Sequence, residues 1–390
     1  MNNILRRIVR ELKKNSLKDF IKKTSFYYFG KGRFLWALDI KDWEKKKKIS
    51  GELFSQYPVR NSVQKKQIIV FVIPGVWISG GVSVILHHAN MLKERGYGVF
   101  VVTQDLKTDI PWYSEQKVDV IPMNKIWALL EDGIDILVAT GWNSAPTVDF
   151  LPARRKLYFV QSDERQFYDD VQLKKFVGKT YEQPFEYVTM AKWIAKWLYD
   201  EFGHSSKYVP NGLDTDIFKP APSLEKKNKF RVLIEGPVSI PFKGVENAYN
   251  AVKDIDCDIW MASSNGRPPK EWKIDRFFEK VPLHQMPGIY SSCDVLLKMS
   301  TVESFSYPPL EMMACGGVPI ILNVTGIEEY AVNEKNCLVI HSFEEAKNAV
   351  ERLMRDDELR ETLILGGLET AKNWGWKHSA DALEQIIVSQ

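Results

Sequence analysis

Residues 299–320 (MSTVESFSYPPLEMMACGGVPI) constrain the fold of this chain more than any other stretch. Residues 294–299 form a short, mostly apolar run that is typical of a buried strand, and residues 318–322 form another. Between them, Pro308 and Pro309 have the fixed backbone angle that suits the first turn of a helix, and a glycine pair ends that helix. The pattern predicts strand, loop, helix and strand, which is one repeat of a parallel α/β sheet.

Two glutamates of this stretch, Glu303 and Glu311, are eight residues apart. Glu303 falls in the loop at the carboxyl end of the strand, which is the edge where parallel sheets bind ligands. The backbone amides of Phe305, Ser306 and Tyr307, near the helix N-terminus, suit a phosphate. Carboxylates beside a phosphate suit sugar hydroxyls, so the combination favours a sugar nucleotide. On the spacing alone, a solvated Glu303 and a Glu311 that caps the helix are the alternative.

Strands and helices alternate in two successive series. The first series begins with the apolar run 67–73, followed by Gly80 and Gly81 at the start of a helix. The second begins at residues 230–235 and carries Lys243 and Gly244 in its first loop. Two such series predict an α/β chain with two Rossmann-like, doubly wound domains that face each other across a ligand-binding cleft.

Changes in composition place the domain boundaries. We predict a basic amphipathic extension at residues 1–64, a first Rossmann-like domain at 65–215 and a second at 216–375. Prolines and a lysine-rich run after residue 219 mark the linker. The last helix, 376–390, is expected to pack back on the first domain.

The charge is unevenly distributed over the 390 residues, whose net charge is +3. Residues 1–48 contain 15 lysines and arginines against 5 acidic residues, and the remainder contains 38 against 45. Residues 1–25 place an apolar stripe among these basic residues, which describes a helix on an anionic membrane surface. The alternatives are a helix docked on the protein's own body and a loosely ordered arm. Nucleic acid is not an expected partner, because no recognisable binding module accompanies the basic residues.

The remaining composition indicates the compartment and the cofactors. The four cysteines lack CxxC spacing, so they are predicted to be ordinary thiols of a reducing compartment. No apolar run reaches the length of a membrane span or resembles a secretory signal. We therefore predict a cytoplasmic protein, with peripheral membrane contact through residues 1–48. No cofactor and no metal site are expected, because the Asp-x-Asp pairs fall at a strand start and in a turn.

From about residue 68 to its end, the chain resembles the glycosyltransferases of the GT-B fold, family four. Four segments carry the resemblance: Gly80-Gly81, residues 210–218 (PNGLDTDIF), Lys243-Gly244, and the Glu303 and Glu311 pair followed by Ala-Cys-Gly. Residues 159–164 and 306–312 resemble the bacterial rhamnosyltransferase branch, which uses dTDP-L-rhamnose, more closely than sucrose or glycogen synthases.

The resemblance implies a retaining enzyme that moves a sugar from a nucleoside diphosphate to a glycan or a lipid-linked glycan. Glu311 would accept from the ribose, Glu303 would hold sugar hydroxyls, and Lys243 would neutralise the leaving diphosphate. The backbone amides of residues 305–307 and 80–81 would share that last task. A front-face attack, in which the leaving phosphate takes the acceptor's proton, needs only positioning and charge stabilisation.

On the acceptor side, Asp163, Glu164 and Asn143 lie at predicted strand ends and are candidates to orient the acceptor hydroxyl. Solvated loop carboxylates are the alternative for the first two. A sugar-nucleotide-binding protein without transfer activity and a GT-B epimerase are the alternative functions. A nicotinamide dehydrogenase is disfavoured, because neither series contains GxGxxG.

The chain departs from the family pattern at two positions. An arginine often follows the glycine at the end of the first strand of the second domain, where this chain has Gly236 followed by proline and valine. Arg231, Arg267 and Lys298 are the candidates to replace that cation. Ser306 also replaces a glycine that is usual in the loop.

Overall fold

The computed structural model describes residues 40–60, 66–105, 107–113 and 115–389, and in these ranges the chain forms two compact units. Unit 1 contains the described residues up to Thr189, then Ala195–Lys207 and the chain from Glu384 on. Unit 2 contains Met190–Ile194 and Tyr208–Leu383. The units therefore divide at residue 207 and not at 215.

The turn that follows the division explains the difference. The amide of Leu213 donates to the carbonyl oxygen of Trp374 over 2.6 Å, and Leu213 pairs with Gly375 in an isolated β-bridge. The turn is thereby held in unit 2. The sequence predicts that the last helix, 376–390, packs on the first domain; its end, from Glu384, lies in unit 1, and the rest of it belongs to unit 2.

Unit 1 contains a sheet of seven strands in the order β3-β2-β1-β4-β5-β6-β7, and its paired strands from β3 to β6 are parallel. The strands are β1 (Ile68–Ile73), β2 (Gly98–Thr103), β3 (Asp119–Pro122), β4 (Ile136–Ala139), β5 (Arg155–Val160), β6 (Glu186–Thr189) and β7 (Ser206–Tyr208). The first helices of the described chain are α1 (Ile40–Phe54), α2 (Gly80–Glu94), α3 (Trp127–Asp132), α4 (Ala145–Phe150), α5 (Val171–Tyr181) and α6 (Lys192–Phe202).

Unit 2 contains a parallel sheet of six strands in the order β10-β9-β8-β11-β12-β13. The strands are β8 (Arg231–Glu235), β9 (Asp258–Ser263), β10 (Arg276–Glu279), β11 (Val295–Lys298), β12 (Val318–Leu322) and β13 (Leu338–Ile340). The helices that follow are α7 (Val245–Val252), α8 (Met286–Tyr290), α9 (Tyr307–Ala314), α10 (Glu345–Arg355), α11 (Asp357–Lys372) and α12 (Trp376–Val388).

Burial explains why these segments form strands. The central strands β4, β11 and β12 are buried along their whole length, as expected of parallel strands that are covered by helices on both faces. In each sheet the winding direction reverses next to the first strand, between β1 and β4 and between β8 and β11. Ligands of such folds bind outside the carboxyl ends of the strands at this reversal.

Helix α1 is attached to unit 1 by an aromatic residue and a lysine. The indole nitrogen of Trp43 donates to Asp149 over 3.0 Å, and its ring lies 5.8 Å from those of Phe150 and Phe176. Lys47 forms an ion pair with Asp149 at 2.9 Å. Part of the lysine run is thus docked on the protein's own body.

The apolar stripe of residues 1–25, on which the predicted membrane contact rests, lies outside the described residues. Within the described ranges, every helix is too short or too polar to cross a membrane.

Replacing Gly244 with alanine should destabilise unit 2. This glycine has a φ of +64°, and an added Cβ would lie 2.0 Å from the carbonyl oxygen of Met299. We expect a loss of about 2 kcal/mol or more in the free energy of unfolding, measured by urea denaturation. As a control, Gly51→Ala in helix α1, where a Cβ meets no atom within 4 Å, should change stability by about 1 kcal/mol or less. Equal effects would contradict the conformational role of Gly244.

Candidate functional site

The ends of β8 and β11 bring a charged cluster together at the reversal of the second sheet. The loop after β8 contains a short 3₁₀ turn, Pro241–Lys243, which ends at the left-handed Gly244. The amide of Thr301 donates to the carbonyl oxygen of Phe242 over 2.8 Å and so ties this turn to the loop after β11. Two candidates that are distant in sequence are thereby brought into contact.

Lys243 and Glu303 form an ion pair, with 2.9 Å between Nζ and Oε1. The glutamate side chain is 9% exposed and the lysine side chain 23%. Burial by itself raises the pKa of Glu303, but Lys298 and Lys243 outweigh it and hold the pKa below its ordinary value. Glu303 is therefore an ionised, mostly buried acceptor.

Glu311 lies in the second turn of α9 and is buried. The hydroxyl of Tyr290 donates to its Oε2 over 2.7 Å. Burial raises the pKa of Glu311 to about 8, and the Tyr290 hydrogen bond and Lys298 only partly oppose this shift. The two predicted glutamates thus differ, since Glu303 is ionised and Glu311 carries a proton near neutral pH.

Lys298 and Glu235 complete the cluster, and Glu235 was not among the predicted site residues. Lys298 Nζ donates to the carbonyl oxygen of Glu235 over 3.1 Å and to its Oε2 over 3.0 Å. Burial by itself lowers the pKa of Lys298, but Glu235 and Glu303 more than offset it and raise the pKa. The signal in the sequence was their position, because both are the last residues of adjacent parallel strands.

The loop between the two glutamates is held by aromatic residues. Phe305 is 2% exposed and its ring packs 5.3 Å from those of Tyr330 and Trp374. Ser306 has a φ of +61°, and its carbonyl oxygen accepts from the hydroxyl of Tyr330 over 2.6 Å. The side chain of Phe305 belongs to the core, and the ligand contacts through the backbone of residues 305–307 stay a prediction.

Trp193 also supports this loop. Its indole nitrogen donates to the carbonyl oxygen of Ser304 over 2.9 Å. The hydroxyl of Ser306 and that of Tyr307 are buried and have no hydrogen-bond partner among the described residues.

In unit 1, the predicted residues Gly80 and Gly81 begin α2 directly after the loop that follows β1. A Cβ at Gly80 would meet no atom within 4 Å, whereas one at Gly81 would lie 3.2 Å from Oε1 of Gln161. The side-chain amide of Gln161 in turn donates to the carbonyl oxygen of Thr140 over 3.2 Å. The glycine pair therefore adjoins the polar loops that follow β4 and β5.

Glu164 is the most strongly perturbed carboxyl of those loops. Its Oε2 accepts from the amide of Trp142 over 2.7 Å and from the hydroxyls of Tyr158 and Tyr181 over 3.3 Å. Burial raises the pKa of Glu164 to about 7, and these hydrogen bonds oppose the shift only in part. Its surroundings fix the carboxyl group and leave it able to gain or lose a proton near neutral pH.

The other two acceptor-side candidates differ in their contacts. Asp163 forms an ion pair with Arg165 at 2.8 Å and accepts from the Arg165 amide, so it stabilises the local turn. Asn143 Oδ1 is buried and has no hydrogen-bond partner among the described residues. It lies near Glu164, because a Cβ at Gly141 would be 3.2 Å from Glu164 Oε1 and 3.3 Å from Asn143 Oδ1. The acceptor role of all three residues stays a prediction.

In the described part of the chain, no group of three or more His, Cys, Asp or Glu side chains is arranged to hold a metal ion.

Comparison with known proteins gives a family for part of unit 2. Residues 276–369 match the model of Glycosyl transferases group 1. An uncharacterized glycosyltransferase of Methanocaldococcus jannaschii is 27% identical over 203 residues, which are 46% of this chain and 57% of that protein. The O-antigen biosynthesis protein RfbC of Myxococcus xanthus is 23% identical over 337 residues, which are 80% of this chain and 26% of that protein. The chain thus spans less than two thirds of either relative.

Solved structures show the same fold. Anabaena HepE in complex with UDP-glucose superposes with a TM-score of 0.70 at 13% identity, over 83% of this chain and all of that one. At this identity the likeness shows the fold alone, which is GT-B. The resemblance inferred from the sequence is confirmed, for the GT-B fold and for the family of residues 276–369.

Replacing Glu311 with glutamine should change how stability depends on pH. The pKa of this group is raised in the folded protein, so its stabilising contribution is complete below the unfolded pKa of about 4.5 and is lost as pH rises through about 8. Glutamine mimics the protonated acid. The variant should therefore gain on the wild type by a few kcal/mol between pH 5 and pH 9, measured by urea denaturation. Glu361→Gln, at an exposed site on α11, is the control. A difference that does not vary with pH would contradict this protonation state.

Proposed function

From the GT-B fold and the group 1 family of residues 276–369, we propose that this chain is a glycosyltransferase of polysaccharide or glycan synthesis. It transfers a sugar from a nucleoside diphosphate donor, with retention of the anomeric configuration. One observation carries the proposal: Lys243 and Glu303 form an ion pair at the carboxyl ends of the strands where the second sheet reverses, and Glu311 lies in the helix that follows. That HepE is described in complex with UDP-glucose supports a nucleotide sugar as the donor.

Each candidate site residue of unit 2 has a proposed role that its surroundings support. Glu303, kept ionised by two lysines, accepts hydrogen bonds from hydroxyls of the donor sugar. Lys243, which is the more exposed partner of that pair, neutralises the charge that develops on the leaving diphosphate. Glu311 accepts from the ribose, and the backbone amides at the start of α9 bind phosphate oxygens. No step requires a metal ion or a protein nucleophile.

In unit 1, Glu164 and Asn143 orient the hydroxyl of the acceptor. The pKa of Glu164 near 7 is that of a group able to accept a hydrogen bond from a sugar hydroxyl as a carboxylate. The leaving phosphate takes the proton of the acceptor, so Glu164 has a positioning role.

The donor sugar that we propose is L-rhamnose carried by dTDP, and a hexose carried by UDP or GDP is the alternative. The rhamnose proposal rests on the resemblance of residues 159–164 and 306–312 to the rhamnosyltransferase branch. That a relative takes part in O-antigen biosynthesis is compatible with a bacterial glycan, free or lipid-linked, as the acceptor.

Binding of nucleoside diphosphates tests the proposal. UDP, dTDP and GDP are compared by thermal shift, then their sugars are assayed for hydrolysis and for transfer to glycan acceptors. For the nucleotide that binds, Glu311→Ala should weaken binding by about 1–3 kcal/mol, because a ribose hydroxyl would lose its buried hydrogen-bond acceptor. Glu361→Ala should leave the affinity unchanged. Conversion of a donor without acceptor would favour an epimerase, binding without turnover a non-catalytic protein, and no binding would refute the proposal.

We propose further that residues 1–39 bind an anionic membrane surface, with α1 as the docked connection to unit 1. This arm contains 10 lysines and arginines against 3 acidic residues. Deletion should start after residue 39, since the contacts of Trp43 and Lys47 with Asp149 belong to the fold of unit 1.

Deleting residues 1–39 should abolish sedimentation with vesicles that contain anionic lipid and leave donor hydrolysis intact. Attraction between basic side chains and anionic lipid weakens with salt, so binding of the full chain should fall as ionic strength rises. Vesicles of neutral lipid are the control. Persistent binding of the truncated chain would assign the contact to another surface.

A further inference from the structure

Lys298 is a buried ammonium group whose hydrogen bonds are incomplete. Its side chain is 4% exposed, and both of its hydrogen bonds in the described chain go to Glu235. An ammonium group has three N–H donors. The nearest further carboxylate oxygen, Oε1 of Glu303, is 4.0 Å away, which allows electrostatic attraction but no hydrogen bond. One donor of Lys298 is therefore left for an acceptor from outside.

The charge balance of the cluster shows what kind of acceptor fits. Lys243 and Lys298 compensate Glu235 and Glu303, and Glu311 carries a proton near neutral pH. The cluster is thus close to neutral before a ligand binds. An anion with several oxygens gains from both ammonium groups, whereas without Lys298 the two remaining carboxylates would outnumber the single lysine.

Gly236 lies between the two lysines. A Cβ at this position would lie 3.2 Å from Val245 Cγ2, 3.6 Å from Lys298 Nζ and 3.6 Å from Lys243 Cβ, and the glycine has a φ of +153°. A side chain here would crowd Val245, while glycine lets a ligand approach the backbone closely. Gly236 therefore places no side chain against the Lys298 ammonium group.

The other two candidates for the missing cation are engaged elsewhere. Arg231 is the first residue of β8, at the opposite end of the strand from Glu235, and its guanidinium lies 4.1 Å from the ring of Trp260. It also donates to the carbonyl oxygen of Ser292 over 2.9 Å. Arg267 is exposed and donates from Nε to Glu279 over 3.0 Å. Of the three, Lys298 alone is within the cluster.

We propose that Lys298 is the second cation for the diphosphate of the donor and supplies the charge that the chain lacks after Gly236. Glu235 holds the ammonium group of Lys298 in place. The third N–H of Lys298 donates to a phosphate oxygen, while Lys243 neutralises the other side of the diphosphate. This inference rests on the proposed function and adds a residue to the donor site. Two lysines then neutralise the negative charge of the leaving diphosphate.

The test separates phosphate binding from internal charge balance. Lys298→Met alone leaves Glu235 without its partner, so it should lower the melting temperature whatever the role of the lysine. Lys298→Met combined with Glu235→Gln removes both charges and should recover most of that loss. Lys298→Arg keeps the charge, and Lys253→Met, at an exposed lysine after α7, is the control.

Calorimetry is performed with the nucleoside, its monophosphate and its diphosphate, for the base that the wild type prefers. The double variant should bind the diphosphate about 10- to 100-fold more weakly than the wild type, as expected for a lost charged hydrogen bond, and should bind the nucleoside unchanged. Lys298→Arg should retain most of the diphosphate affinity. If the double variant is unstable, Lys298→Gln takes its place. The ratio of its affinities for the diphosphate and the nucleoside is then measured under conditions where this variant is folded.

Three outcomes would overturn the inference, and they are distinguishable. If the double variant binds the diphosphate as well as the wild type, Lys298 only balances Glu235 and the proposed function stands. If the wild type binds no nucleoside diphosphate, the proposed function fails together with this inference. An equal loss of affinity for nucleoside and diphosphate would also exclude a phosphate-specific role.

Discussion

Mutual compensation of buried charges at the ends of β8 and β11 is the constraint on which the second unit depends. Lys298 lies between the carboxylates of Glu235 and Glu303, and Lys243 contacts Glu303 from the rim. Removing one partner of a buried ion pair costs about 3–5 kcal/mol, since the other charge is then left uncompensated. The cluster is therefore stable only as a set, and the parallel strands that end side by side assemble it.

The buried carboxyl groups of the two units are kept in different states. Lysines hold Glu303 ionised, whereas burial raises the pKa values of Glu311 and Glu164 to about 8 and about 7. Glu311 and Glu164 each accept hydrogen bonds from tyrosine hydroxyls, which orient the carboxyl group without a full countercharge. Within unit 2, a site in which Glu311 bears a proton can receive an anionic ligand that an additional carboxylate would repel.

The loop that joins Glu303 to α9 has one residue in an uncommon conformation. A side chain in the left-handed region costs about 1 kcal/mol or more, and Ser306 is held there by the hydrogen bond from Tyr330 to its carbonyl oxygen. Trp193 fixes the carbonyl oxygen of the preceding Ser304. Because these bonds hold the backbone, the amides at the start of α9 keep their direction before a ligand arrives, which reduces the cost of ordering on binding.

The sequence by itself determined the alternation of strands and helices and the two Rossmann-like units. It also determined that Glu303, Glu311 and Lys243 lie in loops or helix starts after strands. The reason is that the spacing of apolar residues, prolines and glycines directs the backbone only over a few neighbouring residues. Only the tertiary structure decided which strand ends are neighbours. It paired Lys298 with Glu235, placed Arg231 at the far end of its strand, and divided the units at residue 207 and not 215. These outcomes depend on contacts between residues that are distant in the chain, and no local pattern encodes such contacts. The protonation states belong to the same class, since burial and neighbouring charges set them only after the sheet has formed.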